Sequence, residues 1–184
     1  RLPGHSSTTV QSSLAAYDYS LREYGTRPLN EVLQPAIQLA ERGYAVTALQ
    51  NRLAKRELKN LKAGKAAPFF LRDGARPWPI GSTFQQPVLA KTLRRLAKHG
   101  VADFYQGQIA QQIHKDMQAH GGLLHRDDLA QIPQPIERKP VSCHFDGLRV
   151  ITFPPPGAGR TLVEMLNMRV TPKVTRVRED AALG

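Results

Sequence analysis

The sequence predicts a mainly helical α+β fold with one short β-hairpin. Three observations carry this. Apolar residues recur at spacings of three and four in five stretches, most of them closed by glycine. One stretch alone, Val141 to Phe153, reads as a strand pair about an Asp146-Gly147 turn. With 41% apolar residues in 184, the chain can bury one core of ordinary size, and no apolar run approaches the roughly 20 residues a membrane span needs.

The elements follow in order. Residues 1 to 8 read as loop, with Pro3, Gly4 and the start of a Ser-Ser-Thr-Thr run. A helix is expected from Thr9 to Tyr24, where Leu14, Tyr17, Leu21 and Tyr24 share a face and Gly25 ends it in the left-handed position that only glycine takes cheaply. A second covers Leu29 to Arg42, ending at Gly43. Pro35 lacks an N–H, so the regular helix either begins near it or kinks there. Thr47 is the expected N-cap of a third helix running to about Leu61.

Residues 63 to 87 hold Gly64, Gly74, Pro68, Pro77 and Pro79 among Phe69, Phe70 and Trp78, and read as a long irregular connection whose rings plug the core. Pro87 suits the first turn of a fourth helix, striped by Leu89, Leu93 and Leu96 and closed by Gly100. A fifth runs from about Ile109 to His120, with Ile113 and Met117 inward and Gly121-Gly122 as its end. A short turn at Arg126 to Ile132 precedes Pro133, Pro135 and Pro140, which break the helical pattern before the hairpin. The last helix starts near Gly159 and carries Leu162, Met165 and Leu166.

Charge and motifs exclude more than they assign. The formal charge of +11 raises a nucleic-acid partner. Yet the densest cluster, Arg52, Lys55, Arg56, Lys59, Lys62 and Lys65, has the near-helical spacing of a solvated face. The Pro154-Pro155-Pro156-Gly157-Ala158-Gly159-Arg160-Thr161 segment leads from strand to helix, where phosphate loops sit. It carries Pro154 and Arg160 where a Walker loop needs Gly and Lys, and its prolines lack the N–H donors of a phosphate cradle. His114, His120 and His125 do not share a helical face, so no metal site follows from them. Asp127-Asp128 reads as dipole compensation at a helix start, the hydroxyls of residues 6 to 9 as helix capping, and Cys143 as a small apolar strand residue.

Several blocks, taken together, resemble the large subunit of gamma-glutamyltransferases, also called glutathione hydrolases, which are N-terminal-nucleophile hydrolases. They are Ala15 to Gly25; Leu33-Gln34-Pro35-Ala36-Ile37 with Leu39-Ala40-Glu41-Arg42-Gly43-Tyr44; and Gln86-Pro87 through Ala97-Lys98-His99-Gly100. Phe104-Tyr105-Gln106-Gly107 with Ile109-Ala110, and Gly121-Gly122-Leu123-Leu124 with Asp128-Leu129-Ala130, follow. Pro154-Pro155-Pro156, Gly159 and Leu166-Asn167 stand where the family has its PPPSSGG segment and the next helix. Order and spacing are kept over residues 9 to 168. The departures are Gln11-Ser12 in place of the family's Pro-Gly, Gly157-Ala158 in place of Ser-Ser, and Arg160 in place of the second Gly.

The resemblance implies the helical part of an αββα large subunit over residues 1–168, followed by a divergent basic tail over 169–184. It implies that the parent transfers a gamma-glutamyl group from glutathione-like donors to water or an amino acid, with neither metal nor organic cofactor. The nucleophile is a Thr opening a small catalytic subunit, its own α-amine serving as base. That Thr lies beyond the matched blocks, and the Arg that holds the substrate carboxylate lies before them. No position of this sequence therefore inherits a catalytic, cofactor-binding or metal-binding role, Thr8, Thr9 and Thr161 included, and the chain alone is expected to be an inactive scaffold. The expected partner is the small subunit, with glutathione-like substrate bound only in the complete enzyme and no membrane partner. The resemblance suggests a periplasmic or extracellular setting, although no signal peptide is visible. The rival reading is a basic helical interaction module for nucleic acid.

Overall fold

The computed structural model describes residues 4–132 and 134–170. A 3-10 turn at Gly4–Ser7 precedes α1 (Ser13–Tyr24), α2 (Leu29–Val32), α3 (Gln34–Arg42), β1 (Tyr44–Ala45), α4 (Ala48–Arg56), α5 (Leu58–Ala63) and α6 (Ala67–Phe70). Then come β2 (Thr83–Phe84), α7 (Pro87–His99), α8 (Ala102–Tyr105), α9 (Gln108–Ala119), α10 (Arg126–Ala130), β3 (Val141–Phe145), β4 (Leu148–Thr152) and α11 (Gly159–Val170). The chain divides into two compact units, one ending at Pro135 and the other beginning at Ile136. The expected tail begins where α11 is still helical, and residues 171–184 lie outside the described residues.

The first unit has two packed regions. In one, α3 lies against α7, and Ile37, Ala40, Val46, Phe84, Ala90 and Leu96 are buried. In the other, Val101, Tyr105, Ala110, Met117, Leu124 and Leu129 form a continuous cluster with Leu14 and Ala15 of α1 packed on it. Arg95 of α7 reaches Asp103 of α8 with two hydrogen bonds, Nε to Oδ2 at 2.6 Å and Nη2 to Oδ1 at 2.7 Å. Asp103 Oδ1 also accepts from the Gln108 amide at 3.1 Å. The Arg95 guanidinium holds the Asp103 carboxyl down at about 2, against the opposing effect of burial. Gly107 sits directly on Asp103, where any Cβ would collide with the carboxylate, so the glycine of the Phe-Tyr-Gln-Gly block keeps that bridge possible.

Differences from the sequence expectation have local causes. The first helix starts at Ser13, not Thr9, because a side chain occupies the place of its first hydrogen bond. The Tyr105 hydroxyl donates to the Gln11 carbonyl at 2.7 Å and accepts from the Ala15 amide at 3.0 Å. Those two backbone groups would otherwise bond each other in an α-helix. Burial pushes the Tyr105 phenol up. The hydroxyls of residues 6 to 9 therefore do not cap α1; that of Ser7 donates to the Gly4 carbonyl at 2.8 Å.

The second helix divides at Leu33, two residues before Pro35. The third is capped by Thr47, whose hydroxyl accepts from the Gln50 amide at 3.1 Å, and breaks at Glu57. Within 63–87 the rings divide: Phe69 and Phe70 are exposed, whereas Phe84 is buried with Leu71, and the half-buried Trp78 meets Phe84 edge-on at 5.9 Å. The same stretch holds α6 and β2, and β2 pairs antiparallel with β1, Tyr44 opposite Phe84. Two short antiparallel pairs thus replace the single expected hairpin, in a fold that remains mainly helical.

Candidate functional site

The second unit is a two-stranded ribbon with one helix. β3 and β4 pair antiparallel, with Val141 opposite Thr152, Cys143 opposite Val150 and Phe145 opposite Leu148. Asp146 and Gly147 make the turn at φ 49° and 76°, the left-handed pair that a two-residue hairpin loop requires. Cross-strand partners point to the same side, and this side carries the half-buried Val141, Cys143, Phe145, Val150 and Thr152. α11 packs on the hairpin with Val163 and Leu166, its own half-buried residues.

The exit from β4 into α11 is held from several directions. The Pro155–Pro156 bond is cis, the Gly157 amide bonds the Pro154 carbonyl at 2.9 Å, and Arg138 Nη1 donates to the Pro155 carbonyl at 2.9 Å. Gly159 is buried against the backbone and side chain of Phe153 and Thr152, so close that a Cβ would overlap the Phe153 carbonyl oxygen. This close approach is what the glycine of the proline segment provides, and it aims α11 back over the hairpin.

What this arrangement leaves open is larger than what it covers. Among the described residues from Ile136 onward, Gly159 alone is buried. Phe153 is 75% exposed, Met165 56% and Met168 68%, and Leu162 and Ile151 are exposed as well. Leu162, Met165 and Met168 recur every three residues along one stripe of α11; Leu162 borders Leu166, one turn on, while Met165 and Met168 turn away from Val163. A two-stranded ribbon under one helix is marginal by itself, and among the described residues no further strand pairs with either hairpin edge. Chemically the face offers apolar side chains and strand edges, which suit docking. Val150 points to the helix side with Cys143, whereas Ile151 points to the opposite side of the ribbon.

Other residues singled out by sequence fall elsewhere. Asp128 accepts from the His125 amide at 2.7 Å at the start of α10, so the acidic pair serves the helix terminus. The His114 and His125 rings lie 5.6 Å apart, whereas His120 stacks on His5 at 4.7 Å. The basic cluster is split between α4 and α5, and Arg56 Nε donates to Glu57 at 2.9 Å. An apolar cleft of about 240 Å³ is lined by Val46, Leu53, Leu61, Phe70 and Trp78, with Asn51 and Glu57 as polar neighbours. Asn51, itself buried, donates to the Trp78 carbonyl at 2.7 Å.

Comparison with known proteins bears on the whole chain. The family model described as gamma-glutamyltranspeptidase matches residues 1–180. The glutathione hydrolase proenzyme of Escherichia coli (strain K12) is 38% identical over 172 residues, covering 91% of this chain and 29% of that protein. The acylase ACY 1 proenzyme of Pseudomonas sp. (strain SE83) is 32% identical, covering 90% of this chain and 30% of that protein. The crystal structure of Helicobacter pylori gamma-glutamyltranspeptidase superposes with a TM-score of 0.85 at 32% identity, over 98% of this chain and 52% of that one. The chain thus spans about 29% of the length of the glutathione hydrolase it matches.

Proposed function

The chain belongs to the gamma-glutamyltranspeptidase family, and we propose that it serves as large-subunit scaffold for gamma-glutamyl transfer from glutathione-like donors to water or an amino acid. In this reading residues 1–168 form the large-subunit part and 169–184 a divergent basic tail. The chemistry belongs to the small subunit: the hydroxyl of its opening Thr attacks the gamma-glutamyl carbonyl, with the α-amine as base and backbone N–H groups on the oxyanion. This chain's contribution is positional. The hairpin and α11 offer the small subunit an apolar stripe and the edges of the ribbon.

One observation carries the proposal: the second unit buries no apolar side chain among its described residues, while Ile151, Phe153, Leu162, Met165 and Met168 stand open. Exposed apolar surface of this kind marks a missing partner. Covering each such side chain contributes roughly 1.5–3 kcal/mol, so a handful of them suffices to hold a subunit.

The test uses an apolar fluorescent dye and sedimentation on the full chain. Strong dye binding and self-association at micromolar concentration are expected. Leu162→Lys with Met165→Lys should suppress both without lowering the helical signal, as should added small subunit. A monomer that binds no dye would contradict the docking role.

A further inference from the structure

We propose that His5, Asp116 and His120 form a divalent transition-metal site that clips the start of the described chain to α9. The three residues come from places far apart in sequence: His5 from the 3-10 turn, Asp116 and His120 from the last turn of α9 and the residue that ends it. His5 Nε2 lies 2.8 Å from Asp116 Oδ2, across 111 residues of chain. His120 Nδ1 lies 3.1 Å from Asp116 Oδ1 on the other side of the same carboxylate. One ligand atom from each residue falls within 4.8 Å of the other two.

These separations suit a common ion. Bonds of about 2.0–2.2 Å from imidazole nitrogen and carboxylate oxygen, at tetrahedral angles, put ligand atoms about 3.3 Å apart. The carboxylate already sits between the two nitrogens at close to that spacing, so a small pivot seats all three donors. Two imidazoles and one carboxylate, with the remaining positions taken by water, form a donor set for zinc, cobalt or nickel rather than for calcium or magnesium.

The ligands are held before any ion arrives. The His5 and His120 rings stack with centroids 4.7 Å apart and planes 19° from parallel. His5 packs beside Gly122 and Met117; a Cβ on Gly122 would come within 3.2 Å of the His5 Cβ and would collide with the Met117 sulfur. Gly122 thus leaves room for Met117 and the base of the His5 side chain at the end of α9. Without an ion the His120 Nδ1 lies 2.9 Å from the Asp116 carbonyl, which orients the ring on its own helix turn; on metal binding this nitrogen loses its proton to solvent and exchanges that bond for the ion. Asp116 and His120 remain accessible enough for an ion to enter, with side chains 57% and 33% exposed. The N-terminal turn, His5 included, has no buried side chain to anchor it, so a metal bond there would replace a missing core contact.

The experiment is titration of the chelator-treated full chain with Co²⁺, read by visible d–d absorption, and with Zn²⁺, read by calorimetry and by the melting temperature. One equivalent of each is expected to bind, with an upward shift in melting. His5→Ala, Asp116→Asn and His120→Ala should each weaken affinity at least roughly tenfold, the lower range even for indirect contacts to a bound metal. His120 is one-third exposed, and His5, with its side chain 17% exposed, lies in a turn that holds no buried residue, so these variants should keep the wild-type helical signal. His114→Ala, which removes one ring of the neighbouring pair, should change nothing. Absence of d–d bands, affinity unchanged in the His5→Ala, His120→Ala double variant, or loss of binding only in His114→Ala would overturn the assignment.

Discussion

Gly43 and Gly100 offer a controlled pair. Each ends a helix, α3 and α7, with nearly the same backbone: φ 80°, ψ 178° at Gly43 and φ 78°, ψ 173° at Gly100. Each amide bonds the carbonyl four residues back, at 2.9 Å and 2.8 Å. This corner of backbone space is almost reserved for glycine, and a side chain there costs about 1–3 kcal/mol. The surroundings differ. A Cβ at Gly100 meets nothing within 4 Å, whereas one at Gly43 meets the Phe84 carbonyl oxygen at 2.6 Å, Thr83 Cγ2 at 2.6 Å and Gln85 Cγ at 2.7 Å. The carbonyl belongs to β2 and cannot swing aside without disturbing the β1–β2 pair, so overpacking adds about another 1–3 kcal/mol. Gly100→Ala should therefore cost about 1–3 kcal/mol and Gly43→Ala about 2–6 kcal/mol, from a domain stability of order 5–15 kcal/mol. At about 2–4 °C per kcal/mol the two variants separate clearly in thermal melts followed by circular dichroism. Equal losses in melting temperature would refute the reasoning, because they would mean the β1–β2 pair yields to a methyl group at no cost.

Further outcomes follow from other contacts. Asp103→Asn should cost about 1–2 kcal/mol at neutral pH, the value of charge-assisted bonds discounted for the partly exposed Arg95. Its carboxyl is depressed from 3.8 to about 2, so the stability it contributes is present above pH 3.8 and lost as pH falls through 2. Denaturant melts across that window should show this slope in the wild type and not in the variant. Tyr105→Phe should free the Gln11 carbonyl and the Ala15 amide to bond each other, lengthening α1 toward Gln11; unchanged amide exchange at Ala15 would count against it. The chain alone should not turn over gamma-glutamyl-p-nitroanilide above a matched blank, and turnover surviving repurification would contradict its role as scaffold.

The helices were legible because their signals are local: apolar spacing, Thr47 as cap, Pro35 as break, and Gly43 and Gly100 as positive-φ stops; Gly25 also follows the end of its helix, but in extended backbone at φ −77° and not in the left-handed conformation expected. The Asp146-Gly147 turn announced the hairpin for the same reason. What sequence did not reveal depends on distant partners. Nothing near Gln11 says that Tyr105 will take its carbonyl, and a two-residue strand such as Tyr44–Ala45 has no alternation to read until Thr83–Phe84 lies beside it. Which of Val150 and Ile151 lies on the helix side follows from register and not from hydrophobicity alone. His5 and Asp116 had no sequence signal at all, while the histidines that did cluster in sequence point to different places.

The central claim is that the hairpin and α11 are a docking face for the catalytic small subunit. Hydrogen exchange measured on the full chain, with and without the small subunit of the Escherichia coli glutathione hydrolase, tests it most directly. The account expects slowed exchange in residues 141–153 and 159–168 on adding that subunit, with little change in α3 and α7. Association that protects the first unit and leaves those two segments exchanging as before, or no association at all, would contradict it.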